Sequence, residues 1–195
     1  MKKLDLKDSK VVILVEGLTE QILLPGLARA CGLDLAALGA IIVPAGGAKK
    51  LARQYLYLKE RITKPIFCLF DRDAQAWAAK VTSALRQNDY VHILADGEIE
   101  DLMHLEFFVS QLNSYLTADC LYDTNRLVAV SDFSPAQRRT FILDQIWRQR
   151  QLGKFEKVKF AQFITSVVCS PEAISTDGKR MFNKLSNSVC LASAL

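Results

Sequence analysis

The fold is decided by the stretch Lys10–Glu20, which reads KVVILVEGLTE. Five consecutive apolar residues, most of them β-branched, predict a strand buried on both faces, as in a parallel sheet. The following segment, Thr19–Cys31, has helical spacing of its apolar residues and stops at Gly32, a residue type typical of the position just after a helix. A strand that leads at once into a helix is the first half of a βαβ unit.

This alternation continues through the first hundred residues. Strands are predicted at Lys10–Val15, Ala40–Val43, Pro65–Phe70 and Tyr90–Leu94, and helices at Thr19–Cys31, Ala48–Arg61 and Ala74–Gln87. Such spacing favours an α/β fold, a Rossmann-like parallel sheet of about four strands flanked by helices. In sheets of this kind ligands bind beyond the carboxyl ends of the strands.

The strand signal fades after about residue 98. Helices are predicted at Glu98–Leu116, Pro135–Gln149, Lys157–Val168 and Gly178–Leu185, with a short strand or buried turn at Leu127–Val130. Ser134 is the expected N-cap of the second of these helices, with Pro135 at its first position. Because no linker is evident, we predict a catalytic core over residues 1–105 and a helical extension over residues 106–195 that packs on it.

Composition narrows the class of protein. Of the 195 residues, 50% are hydrophobic and 24% are charged, which is ordinary for a globular protein. Apolar stretches such as Val11–Val15 and Ala40–Pro44 are too short to span a bilayer, and the first residues do not resemble a signal peptide. A cytoplasmic protein without a membrane segment is therefore expected. The five cysteines form no CxxC pair, which argues against a disulfide framework or a zinc site.

The distribution of charge is more informative than the net charge of +4. Between Arg138 and Lys159 there are seven basic residues and only two acidic ones, Asp144 and Glu156. The simplest interpretation of this run is a solvated helix face. Next to a site that cuts phosphodiesters, it would be a surface for the nucleic-acid backbone.

Carboxylates follow three of the predicted strands at their carboxyl ends. Glu16 follows the first strand, with Glu20 one helical turn later, and Asp71 and Asp73 follow the third. The fourth strand precedes an acidic run made of Asp96, Glu98, Glu100 and Asp101. Since parallel strands end at one edge of the sheet, these acids are expected to converge. If the chain stays extended past the third strand, Asp71 and Asp73 point the same way.

Such a cluster predicts a divalent metal site. Neighbouring carboxylates repel and raise one another's pKa, and a cation removes that repulsion. Mg²⁺ prefers oxygen ligands, and two ions roughly 3.5–4 Å apart stabilise both the attacking and the leaving oxygen of an in-line displacement. Each element alone has another interpretation: a strand-to-helix turn at Glu16, helix caps at Asp71 and Asp73, and first-turn acids after Glu98. Their conjunction at three strand ends favours the metal site.

Histidine-based catalysis is not indicated. His92 lies in the fourth predicted strand and His104 on the helix that follows, where core or surface roles are the expectation. No Ser/His/Asp or Cys/His arrangement is visible. Water activated by a metal ion is therefore the predicted nucleophile.

These motifs resemble the TOPRIM domain of topoisomerases, bacterial primases, small RNA-maturing nucleases and the OLD (overcoming lysogenization defect) family of nucleases. The shared pattern is a strand followed by Glu-Gly, a second strand with glycine and a helix, and a strand that ends in Asp-x-Asp. The details are most similar to the OLD TOPRIM nuclease domain, in Val15–Pro25, Phe70–Asp73 and Gly97–Leu102. Lys157–Ala161 resembles the C-terminal lysine segment of that family.

The resemblance implies a metal-dependent DNA endonuclease or nickase that uses Mg²⁺ or Mn²⁺, with two ions. It assigns metal binding to Glu16, Glu20, Asp71, Asp73, Glu98 and Glu100, and catalysis to Glu16, Glu20, Asp71, Asp73, Glu100 and Lys157. Lys157 would neutralise charge in the transition state, with Lys154 and Lys159 as competitors. Nucleic-acid contacts are expected from Gly46, Gly47, Lys49, Lys50, Arg72, Lys154 and Lys159. The glycine pair is equally well explained as a turn that starts a helix.

The resemblance also bears on partners. OLD proteins carry an ABC-type ATPase on the same chain, but no GxxxxGK[ST] phosphate loop occurs here, so a separate ATPase subunit is expected. An anti-phage role is what the family suggests, and an oligomer is possible. The alternatives are a small TOPRIM ribonuclease that processes structured RNA, or a non-catalytic TOPRIM subunit that binds nucleic acid or regulates a partner. A topoisomerase or primase would need further domains.

Overall fold

A single four-stranded parallel sheet forms the centre of the protein. The computed structural model describes residues 6, 9–118, 127–134, 137–151 and 154–192. The strands are β1 (Val11–Val15), β2 (Ala40–Pro44), β3 (Ile66–Phe70) and β4 (Tyr90–Ile93), in the order β2-β1-β3-β4. All three pairings are parallel, so the carboxyl ends of the strands lie at one edge.

Helices cover the sheet and extend beyond it. They are α1 (Leu18–Ala30), α2 (Ala48–Leu58), α3 (Gln75–Thr82), α4 (Leu105–Ala118), α5 (Arg139–Gln149), α6 (Lys157–Val167) and α7 (Thr176–Ala192). Short 3-10 turns lie at Arg72–Ala74, Ile99–Leu102, Val130–Asp132 and Pro171–Ala173. The predicted α/β class, with about four parallel strands flanked by helices, is confirmed. In the described part of the chain, no helix is both long and apolar enough to cross a membrane.

The central strands are buried on both faces. Every residue of β1 is fully buried, and its side chains alternate between two clusters. Ile13 and Val15 belong to the larger cluster, which includes residues of α1, α4 and α6, whereas Val12 and Leu14 belong to the cluster formed with α2 and α3. This two-sided burial explains the unbroken apolar sequence of the strand.

The C-terminal helices pack on the sheet side that α1 covers. Helix α6 lies against α1, and the ring of Phe160 meets that of Phe108 edge-on, with centroids 5.6 Å apart. The larger core cluster contains residues from both sides of residue 105, such as Ile13 and Phe160. The division of the chain at residue 105 stays a prediction.

The continuous helix predicted over Glu98–Leu116 is wrong. A 3-10 turn covers Ile99–Leu102, the backbone is extended at Met103, and α4 begins only at Leu105. Met103 forms an antiparallel bridge with Ile174, and the amide of His104 donates to the carbonyl of Ala173 at 2.9 Å. This pairing with a segment seventy residues away overrides the local helical propensity.

The boundaries of three other predicted helices also differ. Helix α5 begins at Arg139 after an extended Arg138, four residues later than expected, and Pro135 lies outside the described residues. Helix α3 ends at Thr82, before the predicted end at Gln87. Arg86 lies outside the helix because its side chain pairs with Asp89 at 2.6 Å. At the other end of the chain, α7 is longer than the predicted Gly178–Leu185.

The contact between α1 and α6 yields a test of the packing. A Cβ atom on Gly26 would lie 3.1 Å from the Cα of Thr165. We expect Gly26→Val to lower the free energy of unfolding by about 1–3 kcal/mol through overpacking, although valine has a better helix propensity than glycine. Urea unfolding measures the change, and Arg29→Val on the exposed side of α1 is the matched control, expected within about 0.5 kcal/mol. Equal stability of the two variants would contradict this packing.

Candidate active site

Glu16 is held at the end of β1 by its backbone and by its side chain. Its carbonyl accepts hydrogen bonds from the amides of Gly46 and Gly47, both at 2.8 Å. The two glycines have φ angles of +83° and +110°, a region that favours glycine. The Glu16 Oε1 atom accepts from the amide of Asp71 at 3.0 Å. The predicted glycine pair therefore contacts Glu16 from the end of β2, and the amide of Asp71 contacts it from the end of β3.

Glu20 lies in the first turn of α1 and points back to the start of its helix. Its side chain is only 7% exposed, and Oε2 accepts from the amide of Gly17 at 3.1 Å. Burial raises the pKa of Glu20, and the nearby charges of Glu16 and Glu98 raise it further. Two acids separated by one helical turn thus reach the same edge of the sheet.

Asp71 and Asp73 differ in their surroundings. Burial raises the pKa of Asp71 to about 8, with further contributions from Glu20 and Glu16. Asp73 lies in the 3-10 turn, its side chain is 64% exposed, and it pairs with Arg138 at 3.1 Å. The condition under which the two carboxylates would point the same way is not met, because the chain does not stay extended after β3 and turns at Arg72.

The acidic run after β4 contributes a second group of carboxylates. Glu100 is 3% exposed, and burial raises its pKa to about 7 although Lys157 opposes the shift. Glu98 accepts hydrogen bonds from Thr140 and, at 3.2 Å, from Lys157 Nζ. Asp101 supports this run, because its Oδ2 accepts from the amide of Glu98 at 2.9 Å.

Of the three lysines considered for catalysis, Lys157 contacts the acidic group. It is the first residue of α6. Burial alone would lower its pKa, but Glu100 and Glu98 outweigh that effect and the pKa is raised, so the ammonium group stays charged. Lys159 pairs with Glu156 at 2.5 Å on the exposed side of the helix, and Lys154 is exposed.

The residues predicted to contact nucleic acid lie around the acidic rim, by which we mean the edge of the sheet where the carboxylates after β1, β3 and β4 meet. Lys49 and Lys50 are exposed in the first turn of α2, directly after the glycine pair that holds Glu16. Arg72 is exposed between the two aspartates and lines a cavity of about 380 Å³, together with Arg139. A basic border therefore lies beside the carboxylates, on the chain segments that carry them.

Sequence reasoning missed the contribution of α5. Arg138 reaches Glu98 Oε1 at 3.4 Å, and Arg139 Nε pairs with Asp101 at 2.9 Å and also donates from Nη1 to the carbonyl of Glu100 at 2.8 Å. The arginines were visible only as part of the basic run from 138 to 159. Nothing local in the sequence singles out Thr140 as a partner of Glu98.

The donor set fits a hard divalent cation. Glu16, Glu20, Asp71 and Glu100 all have pKa values raised by burial, and each of them also feels the charge of other acids at this rim. Within the described ranges, no three Asp, Glu, His or Cys side chains are placed to share one ion as they stand. An ion here would be held by one or two carboxylates, with water and substrate phosphate completing its shell, as is usual for Mg²⁺.

An α/β sheet with buried acids at the carboxyl ends of β1, β3 and β4 is the arrangement expected of a TOPRIM domain. Residues 9–73 match the family model described as "Overcoming lysogenization defect protein-like, TOPRIM domain". The predicted resemblance to an OLD-like TOPRIM domain is thereby confirmed over these residues, and such a domain indicates a nuclease-type function in nucleic-acid processing. No curated protein sequence matches the chain significantly.

Solved structures share the fold over nearly the whole chain. The C-terminal region of the Xanthomonas campestris pv. campestris OLD protein is similar with a TM-score of 0.70 and 18% sequence identity, covering 95% of this chain and 96% of that one. The C-terminal region of the Burkholderia pseudomallei OLD protein is similar with a TM-score of 0.68 and 16% identity, covering 93% and 98%. The likeness extends to the helical part beyond residue 105.

The buried carboxylates predict how stability depends on pH. Folding raises the pKa of Asp71 from 3.8 to about 8 and that of Glu100 from 4.5 to about 7. The folded state therefore holds protons that the unfolded state has released, and stability falls as pH rises from about 4 to 8. In EDTA we expect a lower Tm at pH 8 than at pH 5.5. Differential scanning fluorimetry measures it, and a higher Tm at pH 8 would contradict the assignment.

A divalent ion should reverse the loss of stability at high pH. At pH 8, Mg²⁺ or Mn²⁺ at ten times its Kd is expected to stabilise the protein by about 1.4 kcal/mol, or roughly 3–6 °C in Tm. Asp71→Asn removes one buried charge, so its Tm in EDTA should exceed that of the wild type at pH 8 and its metal-induced rise should be smaller. Glu60→Gln, an exposed acid on the far side of α2, is the control. A full metal response in Asp71→Asn would exclude this residue as a ligand.

Proposed function

We propose that this protein is a divalent-metal-dependent phosphodiesterase that cuts or nicks DNA. The observation that carries the proposal is the convergence of buried acids from three strand ends, with the charged Lys157 beside them. Mg²⁺ or Mn²⁺ is the proposed cofactor, with two ions. When bound, the ions would supply Lewis-acid stabilisation of the phosphate and a more acidic water.

The residues divide into two groups around Asp71. Glu16 and Glu20 approach it from the β1 side, while Glu98 and Glu100 approach it from the β4 side, and all four raise its pKa. In the proposal each group serves one ion and Asp71 lies between them. Asp73 would join only after its contact with Arg138 opens, since that contact now holds its carboxylate.

Lys157 has the position of a transition-state stabiliser. Its ammonium group is partly buried, charged and 3.2 Å from Glu98. A fixed positive charge beside the scissile phosphate would stabilise the negative charge that develops on its oxygens. The exposed cations Lys49, Lys50, Arg72 and Arg138 would hold the flanking phosphates, because each phosphate contact adds affinity without regard to sequence.

Supercoiled plasmid gives the first test of the proposal. We expect nicking or linearisation with Mg²⁺ or Mn²⁺, none with EDTA, and none with Asp71→Ala. The matched control Glu60→Ala removes an exposed acid that pairs with the neighbouring Lys59, and should cut like the wild type. Gel electrophoresis of the plasmid forms measures the products.

Two outcomes of that assay would point elsewhere. Cleavage of structured RNA but not of matched DNA would identify a TOPRIM ribonuclease. Metal binding without cleavage of either polymer would leave two candidates, a non-catalytic binding or regulatory subunit, in which Asp71→Ala changes stability alone, and a nuclease that needs a partner. Unchanged cutting by Glu16→Ala would exclude that residue from the catalytic set.

The lysines provide a second, sharper test. We expect Lys157→Met to lower the cleavage rate at saturating metal by roughly 10²–10³-fold, because a charge stabilising the transition state is lost. Lys159→Met on the exposed side of the same helix should cut within about twofold of the wild type, since Glu156, with which Lys159 pairs, is also exposed. The metal-induced rise in Tm should survive in both variants. Equal rates would contradict the role of Lys157.

An ATPase partner is proposed from the family resemblance alone. We infer that an ABC-type ATPase, carried on a separate chain, delivers DNA to this site, as part of an anti-phage system. If the purified protein binds metal but does not cut, addition of such an ATPase with ATP to the plasmid assay is the test. Cutting that requires both the ATPase and Asp71 would support this arrangement, whereas inactivity of the mixture would favour the binding module.

A further inference from the structure

The strand β4 forms one edge of the sheet, and no strand of the described residues pairs with its outer side. The amide of Leu94 donates to the carbonyl of Phe70 on β3 at 2.9 Å. Because backbone groups alternate in direction along a strand, the amides and carbonyls of Val91 and Ile93 point away from β3. The amide of Ala95 points the same way and is accepted by Asp177 Oδ2 at 3.0 Å. Among the described residues, the amides of Val91 and Ile93 have no such acceptor.

This open edge is the floor of a groove of about 430 Å³, which we call the β4 groove. Its walls come from the end of α3, with Leu85, and from α7, with Asp177, Arg180 and Lys184. The side chain of Ile93 is 36% exposed in it. The groove therefore contains the outward backbone groups of β4, an apolar surface and charged side chains.

A buried polar group also lines the β4 groove. His92 is only 4% exposed, yet its Nε2 atom has no hydrogen-bond partner in the described part of the chain. The nearest acidic oxygen, on Asp177, is 3.6 Å away, beyond hydrogen-bond distance. An unpaired buried nitrogen is unfavourable, and a ligand in the groove could satisfy it.

The charged side chains of the groove indicate which kind of ligand would bind there. Arg180 and Lys184 lie one helical turn apart on the exposed side of α7, and within the described ranges neither forms an ion pair. Asp177, which already accepts from Ala95, is the acid of this wall. A bound segment would therefore meet two cations and one acid, which together give this wall a net positive charge.

We propose that the β4 groove binds an extended acidic segment of a partner protein, which adds a fifth strand to the sheet. Four to five residues in extended form span about 13–17 Å and could pair with both open positions, Val91 and Ile93. Alternate side chains of that segment would meet Ile93 and Leu85 on one face and the α7 cations on the other. This inference is independent of the nuclease proposal, because no residue of the acidic rim takes part.

A second copy of this chain fits the β4 groove poorly. Pairing two β4 edges would bring two sets of Arg180 and Lys184 together, and like charges repel at that distance. A single small anion could contact the cations and His92, but would leave the strand edge unpaired. An acidic strand from another protein satisfies both the charge and the backbone.

The test starts from a display library of random ten-residue peptides selected on the purified protein. We expect enriched sequences to alternate apolar with Asp or Glu residues. A fluorescein-labelled enriched peptide should bind in fluorescence anisotropy and slow hydrogen exchange at the amides of Val91 and Ile93. Selection without enrichment, or enrichment of basic peptides, overturns the proposal.

Two variants separate strand addition from other binding. Val91→Pro removes one outward amide and leaves the pairing with β3 intact, so the fold, checked by circular dichroism, should persist while peptide affinity falls at least tenfold. Arg180→Glu with Lys184→Glu should weaken the peptide at least tenfold, whereas Arg29→Glu with Arg53→Glu, two exposed cations elsewhere, should not.

Several results would contradict strand addition directly. A folded Val91→Pro protein that binds the peptide like the wild type overturns it. So does a dimer in sedimentation that is lost in Val91→Pro, because the occupant would then be a second copy. Asp71→Ala should bind the peptide with unchanged affinity, which keeps this test separate from that of the nuclease.

Discussion

The repulsion between buried carboxylates is the constraint on which the site depends. Parallel pairing of β1, β3 and β4 brings acids from three distant segments to one edge, and burial raises the pKa of Asp71 to about 8 and of Glu100 to about 7. Such a cluster is unfavourable without a cation. It persists because β1 and β3 are buried on both faces, and the apolar core that surrounds them fixes where the strands end. The apolar core thus holds these acids together against their mutual repulsion, which a bound divalent ion would relieve.

The helical part of the chain is as important for this arrangement as the sheet. Arg139 pairs with Asp101 and donates to the carbonyl of Glu100, and Asp101 in turn accepts from the amide of Glu98. These contacts hold the run after β4 in a 3-10 turn, so that Glu100 is buried instead of solvated. Helix α6 adds Lys157 from a further direction. The likeness in fold to the OLD C-terminal regions covers both parts of the chain.

The sheet and the rim could be predicted from the sequence because their signals are local. The apolar run of β1 with Glu16, and β3 with Asp71, need only a few adjacent residues to be recognised. The break at Met103 and the role of Arg138 depend on partners 65 to 71 residues away, Asp73 and Ile174, which no local pattern reveals. The direction of the Asp73 side chain also could not be predicted from the local sequence. Its direction depends on the turn at Arg72, which the hydrogen bond to the carbonyl of Gly97 stabilises.

The β4 groove and the acidic rim are joined by the short segment from Ala95 to Glu98. This connection limits the coupling free energy between a ligand in the groove and the rim. Asp177 of α7 accepts from the amide of Ala95, three residues before Glu98. A strand bound in the groove could act on the rim through that hydrogen bond and through α7, which also contacts the turn Ile99–Leu102. A net value of about 0.5–1.5 kcal/mol for such a bond corresponds to roughly a two- to tenfold change at the rim. A partner at this edge would therefore tether the protein or bring it to its substrate, and could only modulate the chemistry, because the carboxylates are positioned by the core and by α5 and α6.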